Sequence, residues 1–536
     1  MKTSLFMGLL LMGLILLVAC SKEPGRHLPL TTAEPLKLGL TTVSSQIIDS
    51  PHTYTDLTSG RTAMVQLGNP GPTPVTVLLE GAKTQSITLP PGSWTHLRAP
   101  LTAETLSLTW PGGPLRTGSL YLQGTQQTQP NVLLVSVDTL RADHFNAEHM
   151  PETFAVMSQG QLFDRAYTPT PWTLPAHVSL LTGQYPARHG VRLPDQQIPP
   201  EITTLAEVFS DAGYTTLAVT EGNYVSGTFG FTQGFGQFTE NAPSMLDRNP
   251  ASISKLEANL GHLLKGMAAL NNTPRFVFLH TYEVHCPYLP RNGLTDTAGM
   301  GQTQWLLDND GKPLEPGAYQ TLAQLYKGEV AWLDRQLAPL LKELLATGRW
   351  IIALTSDHGE EFGEHGGLLH ADTLYEETTH IPMALAGPGI PTGRTDHLVS
   401  LVDLPGTLLH LAGLTQPESW QSRNIMDPAM PQAGLFAESF YFGPQIPTED
   451  PRIAAVWLAR DKLIQTRNFD QLQAELYQLA GDPAEQHNQQ QNQQQRRDTL
   501  YLLLTRYLSG KSLDATAIGE LTPEQIETMR SLGYIK

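Results

Sequence analysis

The sequence is poor in cysteine, in basic charge and in long apolar segments, and each shortage argues against a class of structure or partner. Only two of the 536 residues are cysteines, Cys20 and Cys286, so a network of disulfides cannot hold the fold together. Acidic residues outnumber basic ones by 51 to 34, and the net charge of −17 argues against nucleic acid as a partner and against electrostatic docking to anionic lipid. An anionic substrate would therefore have to be held by local features, such as a bound metal or helix N-termini.

The N-terminal apolar segment, residues 5–19, follows a single lysine. It is shorter than a comfortable membrane span and ends in small residues, as a secretory signal does. Its last residues, Leu17-Val18-Ala19-Cys20, resemble the lipobox of bacterial lipoproteins; the alternative is an ordinary signal peptide with an incidental cysteine. We expect a signal peptide over residues 1–19 and lipidation of Cys20. Such an anchor predicts a protein of the bacterial cell envelope, attached to the membrane on the periplasmic face of the outer membrane.

Changes in composition divide the rest of the chain. Residues 20–37 are polar and contain proline, as expected for a tether. Residues 38–127 contain short alternating runs split by glycine and proline, which predict a small β-sandwich; it has no acid pair or histidine cluster, so we expect it to be non-catalytic. From residue 128 to 440 strands alternate with helices. This order predicts an α/β domain with a largely parallel sheet sandwiched by helices.

Two predicted strands each end in residues that could bind a metal. Asn131–Val137 is a short apolar run rich in β-branched residues, and Asp138 follows it at once. Residues 350–354 form a similar run, soon followed by Asp357 and His358. In open α/β sheets ligands bind at the carboxyl ends of the strands, so these side chains are candidates for a site. A strand-end aspartate taken alone is more often structural.

The third motif is the start of a predicted helix. Pro175 suits the first turn of a helix that runs towards Gly183, with Thr173 just before that turn. A hydroxyl at this position faces unpaired N–H groups and the positive end of the helix dipole, where anions bind. An ordinary N-cap threonine would occupy the same position. The weight of the three motifs therefore comes from their occurring together and in order.

In that order the motifs resemble those of the sulfatases of the alkaline phosphatase superfamily, over nearly all of residues 130–536. Those enzymes carry a metal-binding Asp after the first core strand, then a nucleophile motif Cys/Ser-x-Pro-x-Arg followed by Leu-Thr-Gly, and later an Asp-Asn or Asp-His pair. Counting back from Gly183 places Thr173 on the nucleophile and His177 on the motif arginine. Residues 475–488 resemble the segment near the end of sulfatases, where a small antiparallel sheet packs on the core. The resemblance implies an alkaline phosphatase/sulfatase-like fold with a small C-terminal α+β subdomain over residues 441–536.

The resemblance also gives chemical roles to the motif residues. Asp138, Asp357 and His358, together with the Thr173 oxygen, form a set of oxygen and nitrogen ligands that suits Zn²⁺, Mn²⁺ or Ca²⁺. A cation there, aided by the helix N-terminus, would depress the pKa of Thr173 and prepare its oxygen for attack on phosphorus or sulfur. Cation and amides would then stabilise charge on the non-bridging oxygens of the ester.

Two further histidines are candidates for gripping the ester anion, protonating the leaving group or binding a second metal. His285 resembles the histidine of the family's His-x-Pro segment, and His370 stands where sulfatases carry a Lys before their Tyr-Glu element. Trp172 and Tyr288 could line the substrate pocket, although core packing explains them equally well. Weaker candidates are His280, Glu360 and His365.

The chain departs from the family at four positions. Sulfatases of the main type oxidise their Cys or Ser to formylglycine, and Thr173 cannot give that aldehyde. Thr139 stands where they usually carry a second Asp, His358 where many carry Asn, and His177 where they carry Arg. Threonine nucleophiles with an Asp-His pair occur in the superfamily's phosphodiesterases and phosphoglycerol or phosphoethanolamine transferases. A sulfated threonine also lacks the easy elimination of formylglycine, which favours phosphoester or phosphonoester chemistry.

Three functions follow from these observations. The first is a metal-dependent, sulfatase-like hydrolase of sulfate, phosphate or phosphonate esters, whose anionic substrate could be glycan- or lipid-linked. The second is a transferase of the same fold that hands a phosphoryl-linked group to a glycan or lipid; the lack of a multi-span membrane segment counts against it. The third is a non-catalytic, glycan-binding surface lipoprotein. Because a binding module does not need a metal-bound hydroxyl, the motifs favour the hydrolase.

Overall fold

The structure, a computed structural model, describes residues 46–48, 52–54, 62–68, 73–80, 85–89, 94–100, 106–111, 115–123, 129–241, 256–268, 273–291, 317–431, 433–440, 451–468, 471–510 and 516–517. The predicted signal peptide, Cys20 and the predicted tether lie outside these residues. Within the described ranges, no helix combines the length and the apolar character that crossing a membrane requires.

Before residue 129 the described residues form two four-stranded antiparallel sheets. Their strands are β1 (Gln46–Ile48), β2 (His52–Tyr54), β3 (Thr62–Gly68), β4 (Val75–Glu80), β5 (Gln85–Leu89), β6 (Trp94–Pro100), β7 (Leu106–Thr109) and β8 (Leu115–Gln123). The strand orders are β1-β8-β3-β6 and β2-β7-β4-β5. Leu67, Val77 and Leu108 are fully buried, as the apolar face of a short alternating strand requires.

A nine-stranded sheet organises the middle of the chain. Its strands are β9 (Asn131–Val137), β10 (Gln161–Tyr167), β12 (Thr215–Thr220), β13 (Gln237–Glu240), β14 (Arg275–Thr281), β15 (Trp350–Thr355), β18 (His380–Ile381), β19 (Met383–Ala386) and β20 (Gly393–Ser400). The order is β13-β12-β14-β9-β15-β19-β10-β18, and β20 also pairs with β10. The first five strands are parallel, whereas β19 and β18 run in the opposite direction. The predicted α/β class with a largely parallel sheet is confirmed.

Helices cover both faces of this sheet. They are α1 (Pro151–Met157), α2 (Thr173–Thr182), α3 (Pro186–His189), α4 (Leu205–Asp211), α5 (Leu256–Ala268), α6 (Ala318–Ala346), α7 (Glu376–Thr379) and α8 (Asp403–Leu411), with 3-10 turns at Ala142–His144 and Gly227–Phe229. Alternate residues of β9 enter different cores: Val132 and Leu134 pack with α2, α4 and α8, and Leu133 and Val135 pack with α1, α5 and α6. The near-continuous apolar sequence of β9 is therefore that of a strand buried on both faces.

A smaller antiparallel sheet follows towards the C-terminus. It consists of β21 (Leu435–Ser439), β22 (Ile453–Leu458), β23 (Asp461–Asn468) and β24 (Gln471–Gln478), and is followed by α9 (Gln494–Leu508). Leu500 and Leu504 of α9 pack on one face, while Trp457 on the other face lies 4.9 Å from the Tyr167 ring of β10. The sheet therefore lies between the central domain and α9. Its first strand precedes the boundary predicted after residue 440.

Among the described residues, two pairs of two-residue strands and one isolated bridge lie outside the main sheets. They are β11 (Gln196–Gln197) with β25 (Thr516–Ala517), and β16 (Glu361–Phe362) with β17 (Leu368–Leu369), together with a bridge between Gly222 and Val225. The hairpin of β16 and β17 connects the segment after β15 to the segment that holds His370. Thr522, Pro523 and Glu524, whose sequence predicts the start of a terminal helix, lie outside the described residues.

Candidate metal centre and active site

The two strands that end in the motif residues are neighbours in the central sheet. β9 and β15 pair in parallel, with Ser136 opposite Thr355. Because both strands end at the same edge of the sheet, Asp138 comes close to Asp357 and His358. All three of these side chains are completely buried.

Thr173 reaches the same point from the start of α2. The helix begins at Thr173 itself, so this residue is its first position and does not stand before the first turn, as the sequence had suggested. Pro175 still lies within the first turn, where a missing N–H removes no helical hydrogen bond. Trp172 precedes the helix in extended conformation and gives no side-chain cap, and Gly183 ends it in the left-handed region with φ 60°. The Oγ1 of Thr173 lies 3.4 Å from the Nε2 of His358.

The donor atoms of these four residues converge. The Nε2 of His358 lies 3.2 Å from Asp357 Oδ2 and 3.9 Å from Asp138 Oδ1. The Nδ1 of His358 donates to the carbonyl of Gly359 at 2.9 Å, so the lone pair of the neutral ring lies on Nε2, towards the carboxylates. Asp138 Oδ1 and Asp357 Oδ2 are buried and have no hydrogen-bond partner among the described residues. Two unpaired carboxylate oxygens beside an imidazole lone pair fit a divalent cation.

The electrostatics of this cluster support the same conclusion. Burial raises the pKa of Asp138 above its usual range, and the nearby Asp357 carboxylate raises it further. Burial also raises the pKa of Asp357. For His358, burial holds the pKa well below its usual range, so the ring is neutral. Two carboxylates buried together without a cationic side chain between them are costly, and a bound cation relieves that cost.

His177, which the resemblance places at the motif arginine, is a buried and neutral ring. Its Nδ1 donates to the carbonyl of Thr173 at 2.9 Å and lies 3.5 Å from Asp357 Oδ2. Its Nε2 lies 2.9 Å from the Oγ of Ser136, a hydroxyl that projects from β9 towards α2. Burial lowers the pKa of His177. Ser136 was not singled out from the sequence; its signal was a polar residue within an otherwise apolar strand.

A second group of polar side chains lies beside the metal-centre histidine. The rings of His370 and His358 are 4.3 Å apart, and those of His285 and His370 are 5.2 Å apart. The Nδ1 of His370 donates to Glu360 Oε1 at 2.8 Å, and the Tyr288 hydroxyl donates to Glu360 Oε2 at 2.6 Å. Burial lowers the pKa of His285 and of His370 to about 3 and raises that of Glu360 to about 7. The structure therefore brings His285, His370 and Glu360 to one place.

Three other candidates have different surroundings. Trp172 is 1% exposed and lies edge-on to Tyr224 at 5.5 Å. Tyr288 is completely buried, with its hydroxyl directed at Glu360. The substrate-lining role of these two aromatics stays a prediction. His365 stacks on Tyr375 at 3.7 Å and lies 3.4 Å from the carboxylate of Glu377, contacts that serve packing near the C-terminal sheet.

Two family models match this chain. A model described as Sulfatase matches residues 130–414, the range that holds the metal centre and the nine-stranded sheet. A model described as N-sulphoglucosamine sulphohydrolase, C-terminal, matches residues 363–508, which include the small antiparallel sheet and α9.

Curated proteins similar to the chain carry sulfatase names. The chain is 24% identical over 366 residues to a putative extracellular sulfatase Sulf-1 homolog of Caenorhabditis elegans, which covers 59% of this chain and 50% of that protein. It is 23% identical over 339 residues to a delta 4,5-hexuronate-2-O-sulfatase of Bacteroides thetaiotaomicron, covering 54% of this chain and 70% of that protein. The match thus spans about half the length of the first relative.

Among solved structures, the phosphonate monoester hydrolase of Agrobacterium radiobacter shares the fold. Its TM-score is 0.58 at 18% sequence identity, and the match covers 71% of this chain and 95% of that one. At this identity the likeness concerns the arrangement of strands and helices.

Proposed function

Because the chain belongs to the sulfatase family, whose model matches residues 130–414 of its 536, we propose that it is a divalent-metal-dependent ester hydrolase with Thr173 as nucleophile. Membership makes it an ester hydrolase of the sulfatase/alkaline phosphatase superfamily. The metal and the nucleophile are supported by one observation. The unpaired, buried oxygens Asp138 Oδ1 and Asp357 Oδ2 converge with His358 Nε2 beside the Thr173 hydroxyl.

Asp138, Asp357, His358 and the Thr173 oxygen are the residues that would hold the cation. An imidazole among carboxylates suits Zn²⁺ or Mn²⁺ better than Ca²⁺, which prefers oxygen ligands. When bound, the cation supplies positive charge that lowers the pKa of the Thr173 hydroxyl and attracts the anionic ester. The protein's net charge of −17 would otherwise oppose that ester.

Thr173 and His177 serve the attack on the ester, while His285 and His370 serve its leaving group and its anion. Thr173 lies at the positive end of the α2 dipole, and His177 fixes its backbone by donating to its carbonyl. Attack by the Thr173 oxygen on sulfur or phosphorus forms a threonine ester and breaks the bond to the leaving alcohol, which takes up a proton. His285 and His370 are the groups placed to contact that alcohol or the ester anion. Water then hydrolyses the threonine ester, which restores the hydroxyl and releases sulfate, phosphate or a phosphonate, or a phosphate monoester when the substrate is a phosphodiester.

The proposed substrate is an anionic ester, and a glycan ester is the first class to examine. The name of one relative is delta 4,5-hexuronate-2-O-sulfatase and that of one structural neighbour is phosphonate monoester hydrolase. Thr173 cannot form formylglycine, so release of sulfate from it depends on attack by water. This chemistry favours phosphodiesters or phosphonate monoesters, whereas the relatives' names favour sulfate esters.

A substrate panel with metal-stripped and reconstituted protein tests this proposal. Aryl sulfate, phosphate monoester, phosphodiester and phosphonate monoester are each supplied to the protein before and after chelation. We expect hydrolysis of at least one ester, its loss on chelation, and recovery with Zn²⁺ or Mn²⁺ but not with Ca²⁺. Activity that survives complete removal of metal would contradict metal dependence.

Substitution of Thr173 tests the nucleophile. We expect Thr173→Ala to lower kcat by roughly a thousandfold or more while the far-UV spectrum and the unfolding midpoint stay close to those of the wild type. Thr173→Ser is the matched control, because it keeps an oxygen at the same position and should retain measurable turnover. Wild-type rates in Thr173→Ala would remove Thr173 from this role.

For the location of the protein we propose a lipid anchor at Cys20, which rests on the lipobox-like sequence alone. Fatty-acid labelling of the full chain in a bacterial host is the measurement. We expect incorporated label in the wild type and none in Cys20→Ala, with Cys286→Ala as the matched control that keeps the label. Label retained in Cys20→Ala would show that the protein is anchored elsewhere.

A further inference from the structure

Two buried histidines form a pair behind the carboxylates of the metal centre. His280 is the sixth residue of β14 and lies opposite Ser136 in the parallel pairing of β14 with β9. His177 comes from α2, and the two rings meet edge to face with centroids 4.8 Å apart and planes at 89°. Both side chains are completely buried.

His280 contacts only one of the two oxygens of Asp138. Its Nε2 lies 3.4 Å from Asp138 Oδ2, while Asp138 Oδ1 is the oxygen that has no partner and lies 3.9 Å from His358 Nε2. The Nδ1 of His280 is buried without a hydrogen-bond partner in the part of the chain that the structure describes. A bare lone pair at that nitrogen costs less than an unpaired N–H, so the proton of the neutral ring belongs on Nε2, where it donates to Asp138 Oδ2.

The ring of His177, which packs against the ring of His280, is itself held in place by two hydrogen bonds. Its Nδ1–H is occupied by the Thr173 carbonyl at 2.9 Å, and its Nε2 accepts from the Ser136 hydroxyl at 2.9 Å. With both nitrogens engaged, the ring of His177 cannot turn without breaking a buried hydrogen bond. It therefore restricts the His280 ring, which packs edge to face against it.

We propose that His280 is a positioning residue for the metal centre: by holding Asp138 Oδ2 it turns Asp138 Oδ1 towards the cation. This inference rests on the metal site of the proposed function and adds the group that orients one of its ligands. A carboxylate at a strand end can rotate about its last side-chain bond, and a fixed partner removes that freedom before metal binds. Groups that orient metal ligands in this way typically change metal affinity by about 10–100-fold.

A second cation between the same residues is the competing interpretation. One donor atom each from Asp138, His177 and His280 lie within 4.8 Å of one another, which is close enough to surround an ion. However, both nitrogens of His177 are already hydrogen-bonded, one as donor and one as acceptor. His177 therefore has no free lone pair to offer, and the geometry favours the positioning role.

Zinc titration of metal-stripped full-length protein, followed by calorimetry, tests this role without measuring catalysis. We expect one equivalent of Zn²⁺ in the wild type and in His280→Leu, with the affinity of the variant lowered by about 10–100-fold. His280→Gln should stay within about fivefold of the wild type, because the glutamine amide can place an N–H near the position of Nε2. His280→Asn, which is too short to reach Asp138 Oδ2, should bind as weakly as the leucine variant and replaces it if that variant does not fold.

His189→Leu is the matched control, because it also removes a buried, hydrogen-bonded histidine next to α2. The Nε2 of His189 lies 3.0 Å from Ser179 Oγ, and its Nδ1 accepts from the Val191 N–H at 3.1 Å. This variant should lose stability and keep the zinc affinity of the wild type. Unchanged affinity in both His280→Leu and His280→Asn would overturn the inference. Two zinc equivalents in the wild type with one lost in His280→Leu would replace it by a second metal site, and no zinc binding in the wild type would overturn the proposed function itself.

Discussion

Thr139 shows how a single residue next to a ligand can act through its backbone. It adopts a left-handed conformation with φ 59°, which is unfavourable for a β-branched residue. In that conformation its N–H donates to Asp357 Oδ1 at 3.2 Å, so the turn after Asp138 supports the other carboxylate of the centre. Its hydroxyl donates to the carbonyl of Val284 at 3.1 Å and is thus engaged by the backbone of another segment. Thr139, which the resemblance places where sulfatases usually carry a second Asp, therefore supports Asp357 through its backbone N–H.

Replacing Thr139 by the family's usual residue should therefore not restore a ligand. In Thr139→Asp a carboxylate would face the carbonyl oxygen of Val284, so we expect a loss of about 1–3 kcal/mol in the free energy of unfolding and no gain in zinc affinity. Urea denaturation and zinc titration measure the two effects. Thr139→Ser, which keeps the hydroxyl, should lie close to the wild type in both. Tighter zinc binding by the aspartate variant would show that the side chain can turn to the centre.

The site residues that could be predicted from the sequence are those in motifs with a fixed order along the chain. Asp138 and Asp357 each follow an apolar strand, and this pattern is local. Ser136 and His280 gain their importance only because β14 and β9 are neighbours with these two residues opposite each other. No local pattern specifies which strands pair or in which register. The roles of Ser136 and His280 therefore could not be predicted from the sequence as those of Asp138 and Asp357 could.

The N-terminal cap of helix α4 also binds a segment that lies further along the chain. Thr204 accepts from the N–H of Glu207 at 3.2 Å, and Glu207 Oε2 accepts in return from the N–H of Thr204 at 2.8 Å. The same oxygen accepts from the amide of Gln233, in the glycine- and aromatic-rich segment 229–238. Gly234 in that segment has φ 84°, and a Cβ there would clash with the backbone of Glu207. Gly234 therefore allows close packing of this segment against α4.

The cap predicts a pH dependence of stability. Burial raises the pKa of Glu207 to about 7, although its hydrogen bonds with Thr204 act in the opposite direction. The folded protein thus keeps this proton at pH values where the unfolded chain has lost it, so this group's contribution to stability falls as pH rises from about 4.5 to 7. We expect the urea midpoint to decrease less between pH 5 and pH 8 in Glu207→Gln than in the wild type. Glu201→Gln, at an exposed position, should show the same change in urea midpoint as the wild type. If Glu207→Gln also showed that change, the raised pKa of Glu207 would not be the cause of the pH dependence.

Element limits could be predicted well where the apolar pattern is continuous. Asn131–Val137 has the limits that the sequence indicates, because it is an apolar, β-branched run bounded by polar or turn residues. The helix α2 begins at Thr173, one residue earlier than the sequence indicates, since a proline is tolerated anywhere in a first turn. The direction of β19 could not be predicted, because strand direction depends on partners that lie far away in sequence.

A buried ion cluster fastens the C-terminal sheet to the central domain. The Nζ of Lys462 in β23 is completely buried, 3.0 Å from Glu376 Oε1 and 2.8 Å from Glu485 Oε1. The Lys462 Nζ also lies 4.9 Å from the centre of the Trp457 ring. Glu376 begins α7, which closely follows the segment that holds His370, and its N–H donates to Glu485. The C-terminal sheet is therefore linked directly to an element next to the active site.

Removing the lysine should weaken this link strongly. In Lys462→Met, the buried Glu485 and the largely buried Glu376, whose side chain is 15% exposed, lose the cation between them, so we expect a loss of about 3–5 kcal/mol in the free energy of unfolding. Arg394→Met is the matched control, because the ion pair of Arg394 with Asp164 joins side chains that are 60% and 36% exposed and should contribute less than about 1 kcal/mol. Urea denaturation of the full chain measures both. If the two variants lost equally little, the buried cluster would not hold the sheet, and the apolar contacts of Trp457 and Tyr167 would have to do so alone.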